Sequence, residues 1–327
     1  MTPALLPVDA RALIDRASGR KILDVGDVMI DEWIWGTVTR ISPEAPVPVV
    51  NVSDHSFTLG GAGNVANNLR ALDASVRFVG TVGNDAFAAQ VRDMLRGEQV
   101  DDSGIFALSD RPTTRKTRIV AHNQQVVRSD WESVQALSPA DRGRVAAFVA
   151  GAAATSDAVI LSDYAKGLFS RDIVEAALAC PLVLADPKPQ NIDLFQGVTC
   201  VAPNAHEAAA IAGVPIVDDA SLEIAGTRLL ERLQCKYAVI TRGEHGMALF
   251  GRAGERLQVP SVARTVFDVS GAGDTVVAVL GLALAAGASI ELAMQLANFA
   301  AGAVVEKLGT ATACAREILA LVEHERA

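Results

Sequence analysis

Short apolar runs rich in β-branched residues alternate with helical patterns along most of the chain, and this alternation limits the fold more than any other feature. "KILDVGDV", "SVRFVGTV", "DAVILSD", "PLVLAD", "VTCVAPN" and "KYAVITRG" read as strands buried on both faces. "AGNVANNLRALD", "DAFAAQVRDMLRG", "SPADRGRVAAFVAGAA", "SRDIVEAALA", "DASLEIAGTRLLERL" and the stretch after Asp274 read as helices. Strands alternating with helices predict an α/β fold, with a mainly parallel central sheet and helices on both faces. With 327 residues, half of them hydrophobic, the chain is long and apolar enough to bury such a core, and we expect a single domain over residues 1–327.

Two segments break the rhythm. "WIWGTVTRISPEAPVPVVNVSD" and "TTRKTRIVAHNQQVVRSDWE" alternate apolar with polar residues and lack a helical period, as antiparallel strands with one wet face do. They predict a small β lid built from two insertions, at about residues 33–58 and 112–131, beside the ligand-binding edge of the main sheet. The unpaired edges of such a lid favour pairing with a second copy, so a homodimer through the lid is expected.

The formal net charge of −9 argues against sequence-independent nucleic-acid binding, which needs a basic surface. The longest apolar run, "TVVAVLGLALAAGASI", is shorter than the roughly 20 residues of a membrane span and is broken by glycine, so no membrane association is expected. "MTPALLPVDARALIDR" lacks a basic segment followed by an apolar one and does not read as a secretory signal. Cys180, Cys200, Cys235 and Cys314 are widely spaced with no C-x-x-C pair, which fits reduced thiols in a cytoplasmic protein.

Two glycine-rich segments carry the chemistry. In "DVSGAGDTVVAVLGLALAAG", Gly271 and Gly273 give the backbone freedom just before a long apolar helix, whose free N–H groups and dipole suit an anion such as a phosphoryl group. Asp274 sits beside that anion site either as a proton acceptor or as a helix cap. In "LGGAGNVANNL", Gly61-x-Gly63-x-x-Ala66 fits a dinucleotide fingerprint, but the first buried strand lies earlier and no strand-end acid follows at the required distance. The competing reading is a sugar site, with Gly61 allowing close approach and Asn64 binding hydroxyls. There is no G-x-x-x-x-G-K-[ST] phosphate loop.

These segments resemble the ribokinase-like carbohydrate kinases. "DVSGAGDTVVA" is similar to their C-terminal signature and "GGAGNVANNLRAL" to their N-terminal one. "GDVMID", "PNAHE" and "TRGEHG" fall in the expected order, so the resemblance runs from about Lys21 to Leu308. "GDVMIDEWIWGTVTRISPEAPVPVV", "RIVAHNQQVVRSDWE", "LSDYAKG" and "ADPK" further resemble the bacterial D-glycero-β-D-manno-heptose 7-phosphate kinases, which form heptose 1,7-bisphosphate on the way to the ADP-heptose of lipopolysaccharide. Many such kinases are fused to an adenylyltransferase domain; without an H-x-G-H motif, a stand-alone kinase is the expectation here. Val279 stands where many relatives have glycine, which bears on helix packing, and Gly243 occupies a variable position.

The resemblance implies ATP as phosphoryl donor with Mg²⁺, Asp274 as general base, and the Gly271, Ala272 and Gly273 amides as the anion hole. Asn204, Glu207, Thr241, Gly243 and Asn298 would bind the nucleotide, with Glu207 acting on the metal through water or, alternatively, only complementing a helix dipole. Asp31, Gly61 and Asn64 would hold sugar hydroxyls. The cations for a 7-phosphate would come from among Arg40, Lys116, Arg118, Arg128, Lys166 and Lys188, with Asn123 and Gln124 adding hydrogen bonds from the lid. Competing functions are a kinase for another sugar such as fructose 6-phosphate or ribose, a non-catalytic sugar-nucleotide sensor, and an NAD-dependent dehydrogenase resting on Gly61-x-Gly63 alone.

Overall fold

The computed structural model describes residues 4–122, 124–263 and 265–325. After an N-terminal helix α1 (Pro7–Ala17), strand β1 (Lys21–Gly26) runs through Asp27 directly into β2 (Val28–Ile41), which pairs with β3 (Pro48–Gly61). The chain continues through α2 (Ala62–Arg70), β4 (Ser75–Gly83), α3 (Ala86–Gly97), β5 (Asp101–Leu108), β6 (Arg115–Ala121) and β7 (Gln124–Trp131). Next come α4 (Pro139–Ala153), β8 (Ala158–Ser162), α5 (Arg171–Ala177), β9 (Val183–Asp186), β10 (Cys200–Val201), α6 (Ala205–Ala212), α7 (Asp219–Leu233) and β11 (Tyr237–Thr241). The hairpin β12 (Met247–Gly251) and β13 (Arg256–Val259), then α8 (Ala272–Ala285), α9 (Ile290–Val305) and α10 (Ala315–Glu325), complete it.

Nine strands form the main sheet in the order β13-β12-β11-β10-β9-β8-β1-β4-β5. All neighbours are parallel except at one edge, where β12 pairs antiparallel with both β11 and β13. This is the α/β architecture expected from the alternation of patterns, and each of the six quoted strand segments is in it. Two apolar layers cover the sheet. One contains the side chains of α1, α2, α8, α9 and α10, and the other those of α4, α5 and α7. Helix α8 is apolar all round, as a helix sandwiched between a sheet and another helix must be. Val279 is buried on it, consistent with a packing role at that position.

A second, four-stranded sheet of order β3-β2-β6-β7 forms the lid. Its central pair, β2 and β6, is parallel, and the flanking pairs are antiparallel. The lid is longer at its root than the alternation suggested, because β2 begins at Val28, with only Asp27 between it and the end of β1 at Gly26. At Gly61, where β3 turns into α2, φ is +59° and an added Cβ would lie 2.6 Å from the Asp27 carbonyl oxygen, so the close junction of lid and sheet requires glycine. Among the described residues, no helix is long and apolar enough to cross a membrane, and all four cysteines are free thiols.

Candidate active site

The turn before α8 lies at the C-terminal edge of the parallel strands, where α/β sheets bind ligands. Gly271 is the residue before the helix, with φ +79° and no side-chain cap; the Ala272 amide donates to the Val269 carbonyl at 3.2 Å, and the Gly273 and Asp274 amides that follow have no partner among the described residues and are left for a ligand. An added Cβ at Gly271 would sit 2.5 Å from Asn64 Nδ2, which ties this backbone to α2. Asp274 does not cap its own helix. Its Oδ2 accepts from the Asn64 amide at 2.8 Å, and its Oδ1 accepts from the Tyr164 hydroxyl. Thr275 next to it donates to Asn68 Oδ1 at 2.9 Å, and Asn68 donates to the Asn64 carbonyl at 2.9 Å, so α2 and α8 are joined by a buried polar ladder. Burial pushes the Asp274 carboxyl up to about 6, against the hydrogen bonds from Tyr164 and Asn64 and the charge of Lys188.

Asp274 belongs to a group of dry acids. Burial pushes Asp27 up to about 6, although its Oδ2 accepts from the Tyr164 and Lys166 amides at 2.9 and 3.1 Å. Asp186 is pushed up to about 7 by burial, with Lys188 opposing and Glu207 and Asp274 adding to the shift. Asp24 on β1 is fully buried, and neither of its oxygens has a partner in hydrogen-bond geometry among the described residues; burial followed by the Asp274 charge raises it well above the usual carboxylate range, with the nearby Ser162 hydroxyl opposing. Dry acids in a cleft are a mark of catalytic sites, where a carboxyl must exchange a proton near neutral pH.

Two cavities meet at the turn. A larger one of about 620 Å³ is lined by Gly243, Asn298, Val266 and Val276 among others. A smaller one of about 290 Å³ contains Asp31, Gly61, Lys116, Arg118, Tyr164 and Asp274. Thr241 and Gly273 line both. Asn298 donates its amide to the Pro260 carbonyl at 2.8 Å, which fixes the side chain at the wall of the larger cavity. Asn204 and Glu207 border the smaller one and form a reciprocal capping box at the start of α6.

The basic residues separate by position. Lys116 and Arg118 share one face of β6, and both line the smaller cavity, as alternation predicts. Arg118 pairs with Asp31 at 2.5 Å and lies 4.9 Å over the Trp33 ring, while Lys116 has no hydrogen-bond or ion-pair partner among the described residues. Lys188 also lines this cavity, but its ammonium is 2.5 Å from Glu207 Oε1, on the Asn204 side. Burial works against its charge, yet Asp186 and Glu207 hold its pKa above the usual lysine value. Lys166 lines neither cavity and pairs with Glu132 at 2.7 Å. Arg40 and Gln124 are exposed on the lid away from both. Asn123 lies outside the described residues.

Sequence reasoning did not assign Tyr164, Asp186 or Asp24. Tyr164 was in plain view within "SDYAKG", but its partner is 110 positions away. Asp24 carried a usable signal, since an acid in the middle of a strand read as buried on both faces is anomalous.

A model of the pfkB family of carbohydrate kinases matches residues 20–317. The chain is similar to the Bifunctional protein HldE of Desulfatibacillum aliphaticivorans, with 45% identity over 94% of this chain and 64% of that protein. The protein of the same name in Citrifermentans bemidjiense is 41% identical over 97% of this chain and 66% of its own length. The chain therefore spans a little under two thirds of these relatives. Among solved structures, Arabidopsis thaliana ribokinase complexed with ribose and ATP superposes with a TM-score of 0.74 at 19% identity, covering 94% of this chain and 99% of that one. Phosphofructokinase-2 from Escherichia coli in complex with substrates and products gives 0.77 at 17% identity, covering 94% and 100%. At these identities the two structures speak to the fold alone.

Proposed function

The chain belongs to the pfkB family of carbohydrate kinases, and from that premise we propose that it transfers the terminal phosphoryl group of ATP to O1 of D-glycero-β-D-manno-heptose 7-phosphate. The observation that carries this reading is the meeting of two cavities at the N-terminus of α8, with Thr241 and Gly273 common to both and Asp274 in the smaller one. Two substrates in adjoining pockets, an anion-binding helix start between them and a base on the acceptor side are the parts that phosphoryl transfer needs. The heptose assignment rests on the lid, "SDYAKG" and "ADPK" segments and on the relatives named HldE.

The nucleotide occupies the larger cavity, with its base toward Asn298 and Gly243 and its phosphates toward Thr241. The sugar occupies the smaller one, against Asp31 and Gly61. Asp274 takes the O1 proton, the freed oxygen pair attacks the γ-phosphorus, and the bond to the bridging oxygen breaks with its electrons leaving on ADP. The Gly271–Gly273 amides and the start of α8 bear the charge on the transferred group. Asn204, Glu207 and Asp186 present oxygen donors of the kind Mg²⁺ prefers; because Lys188 and the capping box hold both Glu207 oxygens, Glu207 fits contact through water. Bound there with the nucleotide, Mg²⁺ would neutralise phosphate charge.

Among the described residues Lys116 is the cation of the sugar cavity without a partner, while Arg118 and Lys188 are both paired, so we assign the 7-phosphate to Lys116 first. A coupled assay of ATP consumption against heptose 7-phosphate, free heptose, fructose 6-phosphate and ribose tests the function. Heptose 7-phosphate should have the highest kcat/KM. Lys116→Ala should raise its KM roughly tenfold or more, the scale of a lost charge-assisted hydrogen bond, with a smaller effect on free heptose. Preference for another sugar, or an unchanged KM in the variant, would count against the substrate and the residue respectively.

Among the described residues the outer edges of β3 and β7 pair with no further strand, and Trp35, Val52, Val127 and Trp131 are exposed on the lid. We extend the proposal to a homodimer in which two lids cover one another. Light scattering at micromolar concentration should return twice the chain mass of 34.2 kDa; the mass of one chain would reject this assembly.

A further inference from the structure

We propose that Tyr164 is a positioning residue for the transfer: its hydroxyl holds Oδ1 of Asp274 while the Asn64 amide holds Oδ2, and the two donors set the plane in which the carboxylate meets the acceptor hydroxyl. This rests on the kinase reading of the site. The contact itself is a property of the chain and is testable without turnover.

The tyrosine is held on every side. It follows β8, and its own amide and that of Lys166 donate to Asp27 at 2.9 and 3.1 Å. The preceding residue, Asp163, accepts from the Ala165 amide at 2.7 Å and the Lys188 amide at 3.0 Å, so two buried acids pin the loop from both ends. Ala165 adopts φ +56°, a conformation a non-glycine residue keeps only when its surroundings enforce it. The Lys188 ammonium lies 5.3 Å over the Tyr164 ring. A phenol fixed this firmly can orient a partner rather than follow it.

The surroundings also decide which way the hydrogen bond runs. The groups facing the hydroxyl are Asp274 from α8, Asp186 from the end of β9, Asp24 from β1 and Lys188 beyond β9. Burial, and then the nearby Asp274 and Asp186 charges, raise the tyrosine well above its usual range, so the phenol keeps its proton and remains a donor. Asn64 from α2 and Asp31 from β2 complete the circle around the Asp274 carboxylate, and Glu207 on α6 is engaged by Lys188. A carboxylate with one fixed donor on each oxygen cannot rotate freely, and its remaining lone pairs are left for the sugar hydroxyl in the cavity that Tyr164 and Asp274 both line. Because both donors stabilise the charged form, loss of the tyrosine hydroxyl makes Asp274 bind its proton more tightly.

The chain has two tyrosines, Tyr164 and Tyr237, so protein labelled with carbon-13 at the tyrosine Cζ gives two signals, assigned with Tyr237→Phe. The Tyr164 signal should move with pH through a midpoint near 6 as Asp274 titrates. That inflection should vanish in Asp274→Asn and persist in Asp186→Asn and Asp27→Asn, which separates Asp274 from the acid that faces the hydroxyl and from the one that holds the Tyr164 amide and also lies at about 6. A flat Tyr164 signal, or one unchanged by Asp274→Asn, overturns the proposal whether or not the protein turns over any sugar. On the kinetic side, Tyr164→Phe should lower kcat roughly 10- to 100-fold, the scale of a hydrogen bond to a charged group, with both KM values little changed. It should also move the acid limb of kcat/KM upward by about one pH unit, since a lost donor of that strength corresponds to about one unit or more. A kcat loss with the limb unmoved would mean that the tyrosine only supports the loop. Absence of turnover in the unmodified protein sinks the kinase reading and leaves the NMR arm to decide the contact.

Discussion

Asp274→Asn is expected to lower kcat by roughly 10²–10⁴-fold, the range for removal of a general base, while nucleotide affinity and the fold are retained. The amide has nearly the same shape as the acid and can still accept from the Tyr164 hydroxyl. Asn64 can turn its own amide to match the new N–H donor at the cost of the long 3.4 Å bond its Oδ1 accepts from Asn68, whose amide keeps the Asn64 carbonyl at 2.9 Å. What the variant lacks is a place for the O1 proton. The nucleotide cavity is shaped by Gly243, Asn298 and neighbours that do not include Asp274, so ATP binding should survive. Single-turnover transfer from ATP, with nucleotide affinity measured in parallel by calorimetry, separates the two. Turnover near that of the unmodified chain would remove Asp274 from the mechanism; a parallel loss of nucleotide binding would point to a damaged turn instead.

The parts of this site that depend on neighbours in sequence were readable, and those that depend on distant pairs were not. Gly271 to Asp274 are consecutive, and a glycine turn ahead of an apolar helix has one physical reading as an anion site, which the uncapped start of α8 matches. Asn204 and Glu207 stand three apart, the spacing of a capping box, and they form one while also facing the cavity. The two sequence readings of Glu207 are thus not exclusive. By contrast, Arg118 meets Asp31 only because β2 and β6 pair in parallel across 87 positions, and no local pattern sets that register. Lys188 looked like one of several basic residues after a strand, and only the fold places it against Glu207. The lid strands were legible from their alternation, yet β5 and the β12–β13 hairpin were not among the strands read, because the buried-run template favoured the parallel centre of the sheet over its edges.

Thermal stability of the ligand-free chain is expected to fall as pH rises from about 4 to about 8, by on the order of 5 kcal/mol, or a Tm change on the order of 10 °C. The folded values of Asp27, Asp274 and Asp186 lie at about 6, about 6 and about 7, and Asp24 and Asp163 are also raised. In the unfolded chain each titrates near the ordinary aspartate value of about 3.9. Between those limits the native state holds protons that the unfolded state has released. Their contribution is therefore complete below about 4 and is lost as pH climbs through 6 and 7. Acids whose folded values are lowered, such as Asp85, Asp101, Asp102 and Glu317, act in the opposite sense, but only as pH drops below the ordinary carboxylate range. They do not offset the loss on the neutral side. Summing the raised acids separately would overstate the slope, because Asp274 is coupled to Asp24 and Asp186. Calorimetric scans at constant ionic strength measure it, and a Tm that is flat or rising across this interval would contradict the dry-acid assignment. Asp24→Val should raise Tm at pH 8 more than at pH 5, since it removes a fully buried carboxyl with no partner in hydrogen-bond geometry among the described residues from a strand position that suits valine. If the slope is found and Asp24→Val reduces it, the instability at neutral pH is tied to the same dry environment that leaves Asp274 able to take a proton there.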